Sequence, residues 1–246
     1  MREDMIDHRE RNKNYVRKSR AKLTIEQKQY RNQNYCRSWN GWIKRHVYSA
    51  LIEDRKKSRF GNITPKQIMG LYEQSKCCSL SGVELTYNKS LWSLSIDRIN
   101  NSIGHIIENV QLTCIGINLA KNRHINEDVK YLITCLKNKD LFIPNKISRN
   151  YVSVIRRNIE LRDTTANINT DFLLELYDKQ SGRCALTNIK LACYPHPMLS
   201  VSVDRIDNNL GHTIGNIRLV IKAINRARKN KPDTQVMEWL DDLRSK

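Results

Sequence analysis

Apolar residues recur at i, i+3, i+4 and i+7 in two stretches of the chain, Val129, Leu132, Ile133 and Leu136, then Val236, Trp239, Leu240 and Leu243. That spacing lines one face of a helix, and Asn126 and Asp233 stand where N-caps are expected. Upstream, Thr64-Pro65 opens a helical pattern through Leu71-Tyr72-Glu73, and Asn169 opens another through Leu176-Tyr177-Asp178. Short runs of alternating character at 93–96 and 200–203 predict strands. Each leads through Asp-Arg to a Gly-His turn, in which Gly104 and Gly211 suit a backbone of positive φ. A second short strand, a helix starting near Asn109 or Asn216, and the closing amphipathic helix complete each pattern.

The two patterns are copies of one module. Asp97-Arg98-Ile99-Asn100-Asn101-Ser102-Ile103-Gly104-His105 matches Asp204-Arg205-Ile206-Asp207-Asn208-Asn209-Leu210-Gly211-His212, and half the positions from Asp97 to Asn118 are identical to those from Asp204 to Asn225 without a gap. A one-residue gap upstream brings Cys78 onto Cys184. This predicts an α+β protein, mainly helical, with modules at 61–140 and 166–246. A connector with a short helix of its own occupies 141–165, and a basic helical extension occupies 1–60. In that extension Thr24 with Gln27 makes a capping box, Asn40-Gly41 a turn, and 42–59 a second helix.

Charge adds a partner to this picture. Lys plus Arg total 43 against 25 Asp plus Glu, a formal net charge of +18 in 246 residues. Such an excess self-repels unless a polyanion is bound, which puts nucleic acid first and an anionic membrane surface second. Residues 1–60 carry 17 Lys or Arg against 7 acids. There Tyr15, Tyr30, Tyr35, Trp39 and Trp42 interleave with basic residues, Lys44 and Arg45 among them. The segment either tracks phosphates while its aromatics stack, or is a solvated basic helix whose aromatics are core. No apolar run reaches the ~20 residues of a membrane span and the start lacks a signal-peptide core, so an intracellular, reducing compartment, cytoplasm or nucleus, is expected. Seven irregularly spaced cysteines are no secreted disulfide framework.

The spacing Asp97, Asn109, Asn118, repeated as Asp204, Asn216, Asn225, resembles the HNH family of the larger His-Me finger superfamily. The resemblance implies two ββα-metal fingers in tandem. Asp97 with Asn118, and Asp204 with Asn225, would be oxygen ligands of Mg²⁺ or Mn²⁺, with Asn122 a further ligand in the first copy only. Asn109 and Asn216 would brace the loop. Lys121, Arg123, Arg226 and Arg228, which follow in the same helices, would contact nucleic acid.

The copies depart from the family in the same way. Its second strand-end residue is a general-base His, whereas here Arg98 and Arg205 have no acceptor and stay protonated. Either another group is the base, or the metal alone activates water, or the fold binds without cutting. His105 and His212 are the candidate bases; the alternative is that each only bonds backbone or phosphate. Arg98 and Arg205 suit phosphate clamps in every case. The family's structural zinc needs two Cys-x-x-Cys pairs. Cys78 with Ser81, Cys114 with Ile117, and Cys184 alone fall short of it.

The function implied is a metal-dependent DNA endonuclease, in keeping with the homing or mobile-element habits of the family. It would act on double-stranded DNA as a monomer with an internal pseudo-two-fold. The alternative is an inactive pseudo-nuclease binding DNA or RNA through the same surface. A basic ribosome-associated protein would explain the charge but not the duplicated spacing.

Overall fold

A computed structural model describes residues 38–142, 144 and 146–246. The capping box of Thr24 and Gln27 and the side chains of Tyr15, Tyr30 and Tyr35 lie outside the described residues. Within them the chain is α+β, with helices and two antiparallel two-stranded sheets. The first half runs α1 (Trp39–Lys56), α2 (Pro65–Gln74), β1 (Leu94–Arg98), a single 3₁₀ turn (Ile107–Asn109), β2 (Val110–Cys114), α3 (Ile115–Lys121) and α4 (Asn126–Lys137). The second repeats it as α5 (Arg149–Glu160), α6 (Thr170–Lys179), β3 (Val201–Arg205), β4 (Ile217–Ile221), α7 (Lys222–Arg228) and α8 (Asp233–Ser245).

Local chemistry starts the helices. Thr64 and Gln67 form a reciprocal capping box before Pro65, and Asn169 Oδ1 accepts the Phe172 amide at 2.8 Å. Ser38 caps α1 by accepting the Gly41 amide, so Asn40-Gly41 belongs to the first helical turn and is not a separate turn. Ser148 caps α5 in the same way. With α1 packed on α2 and α5 on α6, the duplication reaches further upstream than sequence similarity traces.

Three further expectations differ from the structure. Asn109 and Asn216 do not open a helix. They precede β2 and β4, and the helices begin at Ile115 and Lys222. Asn126 and Asp233 do not cap α4 and α8, because their side chains turn to Gln111 and Arg218 on the neighbouring strand. Gly104 and Gly211 are not among the positive-φ glycines. They are required by close approach: a Cβ on Gly104 would sit 1.9 Å from the Phe60 carbonyl oxygen, and one on Gly211 1.9 Å from Thr165 Oγ1.

The hairpins pair Leu94 with Cys114, Ile96 with Leu112 and Asp97 with Gln111, and likewise Val201 with Ile221, Val203 with Leu219 and Asp204 with Arg218. Side chains alternate along a strand. Leu94 and Ile96 therefore enter the apolar core, while Ser95 and Asp97 reach α3. The halves share that core, α3 lying against α7 and α4 against α8. Gly116 of α3 carries no Cβ where the Trp239 ring of α8 comes down on it, and Trp92 Nε1 donates to Asp242 at 2.6 Å. No helix among the described residues is long and apolar enough to cross a membrane.

Candidate functional site

Asp97, next to last in β1, lies beneath α3, where the helix brings Lys121 onto it. Lys121 is fully buried, and its Nζ lies 2.6 Å from Asp97 Oδ2 and 2.7 Å from the Arg98 carbonyl. Gln111, directly across the hairpin, donates to the same carboxylate oxygen at 2.7 Å. The second half repeats the arrangement with guanidinium groups. Arg228 of α7 meets Asp204 Oδ1 at 3.0 Å, and Arg218, the cross-strand neighbour, meets Oδ2 at 2.9 Å. Arg228 also donates to the carbonyls of Arg205 and Ile206, and both arginines reach Asp233.

These contacts bear directly on the divalent metal implied by the resemblance. A hard cation needs several oxygen donors with net negative charge. Asp97 brings one carboxylate, already neutralised by an ammonium, and Asn118 turns its amide N–H₂ to Ser95 Oγ at 2.7 Å. Asn225 does the same to Ser202 Oγ and the Val203 carbonyl, and both oxygens of Asp204 are taken. Lys229 stands where Asn122 stands in the first copy. In both halves a buried cation, Lys121 or Arg228, thus stands against the carboxylate that the resemblance gives to a divalent metal. Neither of those residues reaches the surface to contact phosphate, contrary to expectation.

Each of the two histidines has an aspartate partner that sequence reasoning misses. His105 Nδ1 lies 2.8 Å from Oδ2 of the buried Asp54 on α1, and the His105 amide donates to the same oxygen at 2.6 Å. His212 holds Asp163 in the same way, at 2.7 and 2.8 Å. A carboxylate only accepts, so Nδ1 of each ring is the donor, which leaves Nε2 as the ring's other nitrogen to accept whenever it carries no proton. Burial pushes the His105 pKa below its ordinary value, with Asp54 opposing. The only sequence signal is an Asp in the last turn of α1 and another three residues past α5, hidden by a shift in spacing between the copies.

Arg98 and Arg205 diverge. Arg98 points back to Asp54 Oδ1 at 3.5 Å, whereas Arg205 donates to the Leu210 carbonyl at 3.1 Å. Asn109 braces its turn by accepting the Asn100 amide and donating to the carbonyls of Asn100 and Gly104, and Asn216 does the same with Asp207 and Gly211. In the first half an open groove of about 290 Å³ brings Asp97, Arg98, His105, Asn118 and Asn122 together with His46 and Glu53 of α1. His46, also unforeseen, is stacked on Trp42 with Nδ1 2.9 Å from the Trp42 carbonyl, and burial lowers its pKa.

Of the remaining basic candidates, Arg123, Lys44 and Arg45 are exposed, with Arg45 over the Trp42 ring. Arg226 is half-buried and donates to the Pro197 carbonyl. Cys78 and Cys114 meet beneath the hairpin, where the Cys114 contact pulls the Cys78 thiol down and burial pushes Cys114 up. No group of three or more His, Cys, Asp or Glu side chains placed to hold a metal ion occurs among the described residues.

Compared with family models, curated proteins and solved structures, the chain has no significant match to any.

Proposed function

We propose that the chain binds nucleic acid, duplex DNA first, through two HNH-like ββα fingers whose internal cations replace the divalent metal. The observation that carries this reading is the pair Lys121–Asp97 and its counterpart Arg228–Asp204 at the position the resemblance gives to a metal. A net charge of +18 supplies long-range attraction to phosphate. Fluorescence anisotropy with a labelled duplex, in EDTA and across a salt series, tests it. Affinity that falls steeply with salt and is unchanged by Mg²⁺ is expected. Binding that needs the metal, or no binding, contradicts it. An RNA duplex in the same assay compares the two polyanions.

One observation favours a second reading, an endonuclease. His105, oriented by Asp54, lines the same groove as Asp97 and Asn118. A neutral imidazole with Nε2 free of its proton can take one from an attacking hydroxyl group. Incubation with plasmid DNA, with and without Mg²⁺ or Mn²⁺, tests this beside Asp97→Ala, Asp204→Ala and His105→Ala. Nicking abolished by His105→Ala supports it, and absence of nicking removes it.

A further inference from the structure

Between the strand-ending Arg and the Gly-His step, each hairpin carries a turn, 99–103 in the first half and 206–210 in the second. Each turn begins and ends on an aliphatic side chain open to solvent. Ile99 and Ile103 are each 44% exposed, Ile206 49% and Leu210 54%. A single exposed aliphatic residue is ordinary. These four occupy the same two positions of both copies, on turns otherwise made of Asn, Asp and Ser.

The turns are also held open. Ile99 and Ile206 donate their amides to the carbonyls of Asn109 and Asn216, and the buried Asn109 and Asn216 side chains clamp each turn from within. Asn100 Oδ1 accepts the Ser102 amide and Asp207 Oδ1 accepts the Asn209 amide. These bonds give both turns the same backbone frame, on which the aliphatic side chains are exposed.

An apolar tip flanked by amides on a strongly basic protein matches one surface in particular. Base steps accept aliphatic wedges from the minor groove, where N3 and O2 acceptors suit amide donors, and the surrounding phosphates attract the positive charge. We infer that the turns at 99–103 and 206–210 are paired wedges that part base steps of duplex DNA from the minor groove and bend it at two places. This rests on the nucleic-acid reading above and adds to it how the duplex is gripped.

A duplex of about 40 base pairs is stiff over its own length, the persistence length being about 150, so end-to-end energy transfer reports bending. The experiment measures affinity by anisotropy and bending by energy transfer for the full chain and for a variant combining Ile99→Ser, Ile103→Ser, Ile206→Ser and Leu210→Ser. These side chains are exposed, and an unchanged melting temperature verifies the variant's fold. The full chain is expected to raise energy transfer on binding, and the variant to lose that rise while still attracted to DNA at low salt. Binding without bending by the full chain, or equal bending by the variant, overturns the wedge and leaves the nucleic-acid reading standing. No binding by the full chain overturns both. A variant that bends DNA normally but loses binding to phosphatidylserine vesicles assigns the turns to a membrane surface and overturns the proposal.

Discussion

Lys121 Nζ lies 2.6 Å from Asp97 Oδ2, with neither side chain more than 3% exposed. A buried pair of this kind is costly to break, because the survivor is left charged and unpaired. Lys121→Met should therefore lower unfolding stability by about 3–5 kcal/mol. Adding Asp97→Leu to it should recover a large part of the loss. Urea unfolding of the parent and the two variants checks this, and a Lys121→Met variant as stable as the parent would show that the pair does not stabilise the fold.

The two halves satisfy the same carboxylate with different partners. In the first, Gln111 joins Asp97 to Asn126; in the second, Arg218 joins Asp204 to Asp233. Transplanting the charged version should work only as a unit. Gln111→Arg alone, or Asn126→Asp alone, should destabilise, and the double variant should recover with a coupling of about 0.5–3 kcal/mol. Strict additivity in the double-mutant cycle would show that the residues do not act together.

Gly104 and Gly211 differ in what a methyl group would strike. The first meets backbone, the Phe60 carbonyl, and the second meets a side chain, Thr165 Oγ1. Gly104→Ala should cost more than Gly211→Ala, each within or above the about 1–3 kcal/mol usual for overpacking. Thr165→Ala should rescue only Gly211→Ala. Equal losses from the two alanines, or no rescue, would count against close approach as the reason for these glycines.

Burial lowers the pKa of His46, His105, His124 and His196. Below about pH 6.5 the unfolded chain takes up protons on these rings before the folded chain does. The unfolded state then binds more protons, so stability is full above that pH and falls as pH drops through it, until the folded-state values are reached. Melting temperatures between pH 7.5 and 5.5 at fixed ionic strength check the sign. A stability that rises on acidification would falsify it.

Much of this architecture is legible in the sequence, because the repeat fixes two hairpins and their following helices in register and the capping residues mark α2 and α6. The site is legible only in part. The resemblance points to Asp97 and Asn118, but Lys121 reads as one more basic residue on a helix, and only the face of β1 that points at α3 reveals its burial. Asp54 and Asp163 escaped because their contacts span 51 and 49 residues, so the copies fall out of register there. The pairing of Gln111 with Asn126 against Arg218 with Asp233 was present in the aligned copies, as a matched neutral and charged exchange. Strand register was needed to see that these residues touch.

Whether Lys121 and Arg228 fill the position a divalent metal would take is read from the electron paramagnetic resonance signal of free Mn²⁺. The titration is made with duplex DNA and increasing protein, against DNA alone. The protein is expected to remove no Mn²⁺ beyond what the DNA binds. A stoichiometric, protein-dependent loss of free Mn²⁺ that Asp97→Asn abolishes would contradict it.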